Sequence, residues 1–178
     1  MAMNNPLSIP LNCSNASRQS RETLRNEVIN QQTLFPFLMQ FVLDPSSKLN
    51  IKACWVLELV LESNPQLIVP FLDSFCDLLP KPLDQSALRG ISKCCYFTVK
   101  FLSLAPHQEQ KIMESCLDWL ISENTKVAAK AHFIRTLFEL GKKNHSIYPD
   151  LKQILTDDYS KHSVAYQAVA REILKKIK

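Results

Sequence analysis

Ile51-Lys52-Ala53-Cys54-Trp55-Val56-Leu57 decides the fold, because its centre returns along the chain. Lys52-Ala53-Cys54-Trp55-Val56 aligns without gaps with Lys93-Cys94-Cys95-Tyr96-Phe97 and with Lys130-Ala131-His132-Phe133-Ile134. Gln167-Ala168-Val169-Ala170-Arg171 is a weaker fourth copy, and the successive offsets are 41, 37 and 37 residues. Periods of this size belong to repeated helix pairs. The turn upstream keeps the register, bringing Lys48, Arg89, Lys126 and Ser163 into coincidence. The second helix of the unit repeats as well: Asp73-Ser74-Phe75-Cys76-Asp77-Leu78-Leu79 matches Glu114-Ser115-Cys116-Leu117-Asp118-Trp119-Leu120. Phe35-Pro36-Phe37-Leu38 is echoed by Val69-Pro70-Phe71-Leu72 and by Tyr148-Pro149-Asp150-Leu151. Proline is at home in the first turn of a helix, where its missing N–H has no partner to lose.

Working outward, apolar residues at helical spacing and the breakers between them predict helices over 17–30, 34–43, 47–62, 65–79, 85–104, 107–122, 125–142, 147–157 and 162–177. The breakers are Asp44-Pro45, Asn64-Pro65, Pro80-Lys81-Pro82, Ala105-Pro106, Ser122-Glu123-Asn124 and Gly141; expected N-caps are Ser46 or Ser47, Asp84, Asn124 and Ser160. Each pair has an apolar face that it cannot bury alone, so neighbouring pairs stack. The expectation is an all-α fold: a short right-handed α-α superhelix of about four to five helix pairs. Residues 14–178 form one helical-repeat domain, preceded by a flexible segment over 1–13.

Composition narrows the function. Only two glycines occur, Gly90 and Gly141. Phosphate-cradling loops and tight hairpins draw on glycine for backbone with positive φ, so nucleotide-binding α/β folds are disfavoured. Net charge is +4 and the pI is about 8.7, which permits an acidic partner without the dense basic clustering of a dedicated nucleic-acid binder. The six cysteines, Cys13, Cys54, Cys76, Cys94, Cys95 and Cys116, form no C-x-x-C pair; five lie in apolar helical runs, where a free thiol packs as a small hydrophobe. Reduced cysteines predict a cytoplasmic protein. The N-terminal run lacks a basic region and is broken by Pro6 and Pro10, unlike a signal peptide. His107, His132, His145 and His162 have no metal-ligand spacing, so neither a metal nor another cofactor is expected.

The 51–57 segment resembles the third helix of armadillo repeats, and the chain as a whole resembles HEAT/armadillo-like helical-repeat proteins. Armadillo repeats that clamp extended peptides carry an Asn four residues after the Trp; here Leu59, Lys100 and Leu137 stand in that place, so the resemblance implies a repeat scaffold without an Asn ladder. Lys126-Val127-Ala128-Ala129-Lys130-Ala131 and Lys161-His162-Ser163-Val164-Ala165-Tyr166 further resemble a small bacterial family of uncharacterised helical-repeat proteins, some labelled adenylosuccinate lyase. The lyase signature loop, S-S-x-M-P-x-K-x-N, has only Ser46-Ser47-Lys48-Leu49-Asn50 as its nearest string. Lacking the Met-Pro, that string reads as a helix cap, and the lyase is the least favoured function.

The candidate binding face is Lys48, Lys52, Trp55, Arg89, Lys93, Tyr96, Lys126 and Lys130. Lys48 and Lys52, Arg89 and Lys93, and Lys126 and Lys130 are each spaced i,i+4 and share a helix face. Repeat equivalence stacks the pairs roughly 10 Å apart. A ridge of this kind suits an acidic protein or another anionic partner; the alternative is a solvated face balanced by Asp73, Asp77, Glu114 and Asp118. Trp55, Tyr96 and Phe133 form an aromatic row, read as packing between repeats or as a stacking surface. A further alternative is a nucleic-acid-binding protein like the alkylpurine DNA glycosylases built from HEAT-like repeats, with Trp55 and Glu58 facing a basic groove. No residues single out a catalytic constellation, so a non-enzymatic scaffold is expected. The sequence leaves the oligomeric state open.

Overall fold

The computed structural model describes residues 5–177. Its α-helices are α1 (Ser8–Cys13), α2 (Arg18–Asn30), α3 (Phe35–Val42), α4 (Asn50–Ser63), α5 (Leu72–Leu78), α6 (Gln85–Phe101), α7 (Pro106–Ile121), α8 (Val127–Gly141), α9 (Ile147–Asp158) and α10 (Val164–Leu174). Short 3-10 helices lead into α3 and α5 and follow α9, and no strand occurs among the described residues. The even-numbered helices pack in order, α2 on α4, α4 on α6, α6 on α8 and α8 on α10. The odd-numbered helices form a second layer: α3 lies on α4, α5 on α7, α7 on α8, and α9 on both α8 and α10. The architecture is thus an all-α HEAT-like stack of helix pairs. Leu57, Phe75, Ile91, Phe133, Leu151 and Tyr166, drawn from both layers, are essentially fully buried.

The helix starts show where local chemistry outweighed pattern. Asp84 caps α6 as expected, its carboxylate accepting the Ser86 N–H at 2.7 Å. The expected cap of α4 at Ser46 or Ser47 is not used. Asp44 accepts the Ser46 N–H and the Ser47 hydroxyl accepts the Leu49 N–H, so these side chains close a turn instead. The helix then begins at Asn50, whose amide donates to the Phe41 and Val42 carbonyls at 3.0 and 2.9 Å and pins α4 to the end of α3. Lys126 rather than Asn124 precedes α8. Ser163 rather than Ser160 precedes α10, because Tyr159–Lys161 winds into a 3-10 turn.

Of the segment 1–13 that the sequence suggests is flexible, residues 1–4 lie outside the described residues. Residues 5–13 carry α1, packed on α4. Leu7 and Leu11 are 2% and 1% exposed, the Asn5 amide donates to the Phe37 carbonyl at 2.8 Å, and the Lys52 ammonium donates to the Asn12 carbonyl at 2.6 Å. The physical reason is that Leu7 and Leu11 bury apolar surface against the stack, which holds the segment in place. Leu11→Ala is expected to cost about 2 kcal/mol, the low end for a buried leucine because a short peripheral helix relaxes easily. Urea unfolding measures this, and an unchanged midpoint would show that the segment contributes no stability.

Candidate functional site

The expected basic ridge divides into cations with partners and cations without. Lys93, on α6, reaches across to α4 and pairs with Glu58 at 3.0 Å and Glu62 at 3.5 Å. It bridges two repeats and has no spare charge for a partner. The Lys52 ammonium donates to the Asn12 carbonyl, which fixes its position and leaves its charge uncompensated among the described residues. Lys130 is only 2% exposed, and desolvation lowers its pKa, so it is enclosed in the stack and presents nothing to a surface ligand. Tyr96 is partly buried and accepts a hydrogen bond from Lys100 at 2.9 Å. Lys48 is exposed in the turn before α4. The acidic residues proposed as balance face elsewhere: Asp73 and Asp77 pair with His107 and Lys111 of α7, in the other layer.

Three of the eight candidate residues do meet. Trp55, Arg89 and Lys126 line one cavity of about 290 Å³, together with Ala16, Arg21, Glu58, Gln85, Ser86, Gly90 and Ala128. It spans four successive layers of the stack: the approach to α2 and its first turns, the middle of α4, the start of α6 and the start of α8. Helix N-termini carry partial positive charge from unpaired N–H groups, and three of them border this hollow. Arg21, Arg89 and Lys126 have no carboxylate partner among the described residues. The only acid in the wall, Glu58, is held by Lys93. The cavity is therefore electropositive, with one aromatic wall.

His132 reports the same field. Its pKa falls from 6.5 to about 4, first through burial and then through Arg135, Lys93 and Arg89. Its Nδ1 is buried without a hydrogen-bond partner, so the ring sits neutral at the edge of the core. The aromatic row divides in the same way as the cations. Phe133 is 1% exposed and belongs to the core, whereas Trp55 is half-buried and faces the cavity. Arg21 escaped the sequence reading because α2 has no copy of the Lys-Ala-Cys-Trp string to align. Gln85 and Ser86 gave no signal at all, since polar residues in a first helical turn are common.

No group of His, Cys, Asp and Glu among the described residues is arranged to hold a metal ion, and no described helix is long and apolar enough to cross a membrane. The model of the HEAT repeat domain family matches residues 12–177. The protein belongs to the HEAT repeat family. The match spans every helix from α2 to α10, so the helix pairs described above are the HEAT units. No curated protein and no solved structure matches the chain.

Proposed function

We propose that this protein is a non-enzymatic HEAT repeat scaffold that engages an acidic partner protein across the face formed by α2, α4, α6 and α8. The observation that carries this reading is the convergence of Arg21, Arg89 and Lys126, without carboxylate partners among the described residues, on one cavity. Cations left unpaired beside one another repel, and an anionic group from a partner relieves that repulsion. The neighbouring ion pairs support the division of labour. Lys93 with Glu58 and Arg135 with Glu172 tie successive repeats together, while the cavity residues remain available. Five free, buried cysteines suit a reducing compartment such as the cytoplasm.

A fluorescein-labelled octaglutamate peptide, titrated with protein at about 50 mM salt where charge attraction is least screened, tests the reading. The Arg89→Ala/Lys126→Ala double variant is expected to bind at least about tenfold more weakly than the parent, with the affinity of the parent falling as salt rises. Lys143→Ala, which breaks a pair with Glu109 in the other layer, is the control expected to bind normally. Equal affinity of parent and double variant would remove the cavity from the reading.

The second reading, a nucleic-acid-acting protein, draws on Trp55 and Glu58 lying in the same cavity as the cations. The engagement of Glu58 with Lys93 weighs against it, as does the enclosure of Lys130 in the stack. Duplex DNA presents a charge about every 1.7 Å and calls for a longer basic track. Tight DNA binding at about 50 mM salt would favour this reading over the scaffold.

A further inference from the structure

We propose that the cavity walled by Arg21, Arg89 and Lys126 receives a single phosphomonoester group, as carried by a phosphorylated serine, threonine or tyrosine of the partner protein. This rests on the scaffold reading and names the group that the scaffold would recognise.

Charge is the first argument. Three cations without carboxylate partners among the described residues face the hollow, and its one carboxylate, Glu58, is paired with Lys93, which it shares with Glu62. A carboxylate ligand offsets one of those charges. A phosphomonoester carries about −1.5 to −2 at neutral pH and presents three acceptor oxygens. The donor set is the second argument. Two guanidinium forks match the tetrahedral oxygens of phosphate better than a single point charge does, Lys126 supplies a third contact, and Gln85 and Ser86 add neutral donors on the same wall. Size is the third. At about 290 Å³ the cavity lies at the lower edge of the range for small-molecule pockets, which suits one head group and not a long stretch of chain.

The surroundings choose between protein and nucleic acid. A polyanion would need the cations on either side of the cavity, yet Lys93 is paired with Glu58 and Glu62 and Lys130 is enclosed. Within the cavity wall the cations without a carboxylate partner among the described residues are Arg21, Arg89 and Lys126, a set of the size that a single modified side chain requires.

Phenyl phosphate and phenyl sulfate make the test. They have nearly the same size and the same ring, but the sulfate is a monoanion while the phosphate is mostly a dianion above its second pKa of about 6. The two indole N–H signals in a proton–nitrogen correlation spectrum are the reporters, assigned with Trp55→Phe. Trp55 lines the cavity, and Trp119 donates to the Leu79 carbonyl in the other layer. At pH 7.5, phenyl phosphate is expected to shift the Trp55 signal with an affinity about tenfold or more above that of phenyl sulfate, leaving Trp119 in place. Arg89→Ala should weaken phenyl phosphate binding severalfold, Arg89→Lys should restore only part of it, and lowering the pH to 5.5 should narrow the gap between the two probes.

Equal affinity for the two probes, or shifts unaffected by Arg89→Ala, would overturn the proposal. If octaglutamate still binds in that case, only the phosphate assignment falls; if octaglutamate also fails, the scaffold reading falls with it. Displacement of phenyl phosphate by a single-stranded oligonucleotide without terminal phosphates, at about 150 mM salt, would overturn the protein source in favour of nucleic acid.

Discussion

Gly90→Ala is expected to destabilise the fold by about 2–3 kcal/mol, with the opposite sign to the usual effect of this change in a helix. In an exposed helix interior, replacing glycine by alanine gains up to about 1 kcal/mol, because glycine has more backbone freedom to lose. Gly90 is buried within α6, where that helix crosses α4. A Cβ added there would stand 2.9 Å from the Cys54 carbonyl oxygen and 3.3 Å from its carbon. The obstacle is backbone, which cannot rotate aside as a side chain can. The two helices would have to separate, loosening the packing of Ala53, Cys54 and Leu57 against Ala87, Ile91 and Cys94, all of them fully buried. Overpacking of a tight core costs about 1–3 kcal/mol, and the lever of a rigid helix spreads the strain along its length. For a domain of this size, the midpoint of thermal unfolding should fall by about 5–10 °C. A variant as stable as the parent would mean that α4 and α6 are not in the close contact described. Gly141 has a similar role between α8 and α9, but its obstacle is the Tyr148 ring, which a side-chain rotation could move.

The two glycines illustrate which features the sequence makes legible. Their scarcity correctly disfavours loops that need positive φ, and none of the described residues adopts one. Their actual role, letting helices approach, depends on which residue faces which and has no local signature. The same holds for the helices and the site. Repetition of Lys-Ala-Cys-Trp-Val places α4, α6 and α8 in equivalent positions, and periodicity with proline breakers locates nearly every helix to within a few residues. Equivalent position does not mean equivalent environment, however. Lys52, Lys93 and Lys130 occupy the same site in three repeats, yet one ties down the N-terminal segment, one bridges two repeats and one is enclosed. What separates them is the neighbour each one meets: Asn12 for Lys52, the pair Glu58 and Glu62 for Lys93, and the surroundings of Asp158 and His162 for Lys130. Arg89 and Lys126, one turn earlier, meet no such neighbour and remain open. The packing of residues 5–13 on α4 was equally hidden, because Leu7 and Leu11 are too few to form a periodic pattern.

Acid should weaken the fold between about pH 6.5 and pH 4, and His132 should account for much of the loss. Burial and the charges of Arg135, Lys93 and Arg89 lower the pKa of this ring to about 4 in the folded chain, against an ordinary value of 6.5. Between those values the unfolded chain binds a proton that the folded chain refuses. The unfolded state is thereby favoured, and stability falls as pH drops through 6.5 and stops falling on this account below about 4. Above 6.5 the ring is neutral in both states and contributes no pH dependence. Each pKa unit corresponds to about 1.4 kcal/mol, so the full effect reaches at most about 3 kcal/mol for a ring that is not wholly sealed from water. His162, whose pKa is also lowered, chiefly by burial, adds in the same direction. The carboxylates with lowered pKa, Asp44, Asp73 and Glu172, begin to lose their contribution as pH falls to their ordinary values of 3.8, 3.8 and 4.5, where the unfolded chain takes up the proton first. The upper part of the decline, from pH 6.5 to about 5, therefore isolates the histidines. His132→Gln keeps a polar side chain of similar bulk and removes the titration. Urea unfolding at half-unit steps from pH 4.5 to 7.5 should show a steep decline for the parent and a markedly flatter one for the variant. Parallel curves would assign the acid sensitivity elsewhere and would place His132 in contact with water, outside the field of Arg89 and Lys93 in which the structure sets it.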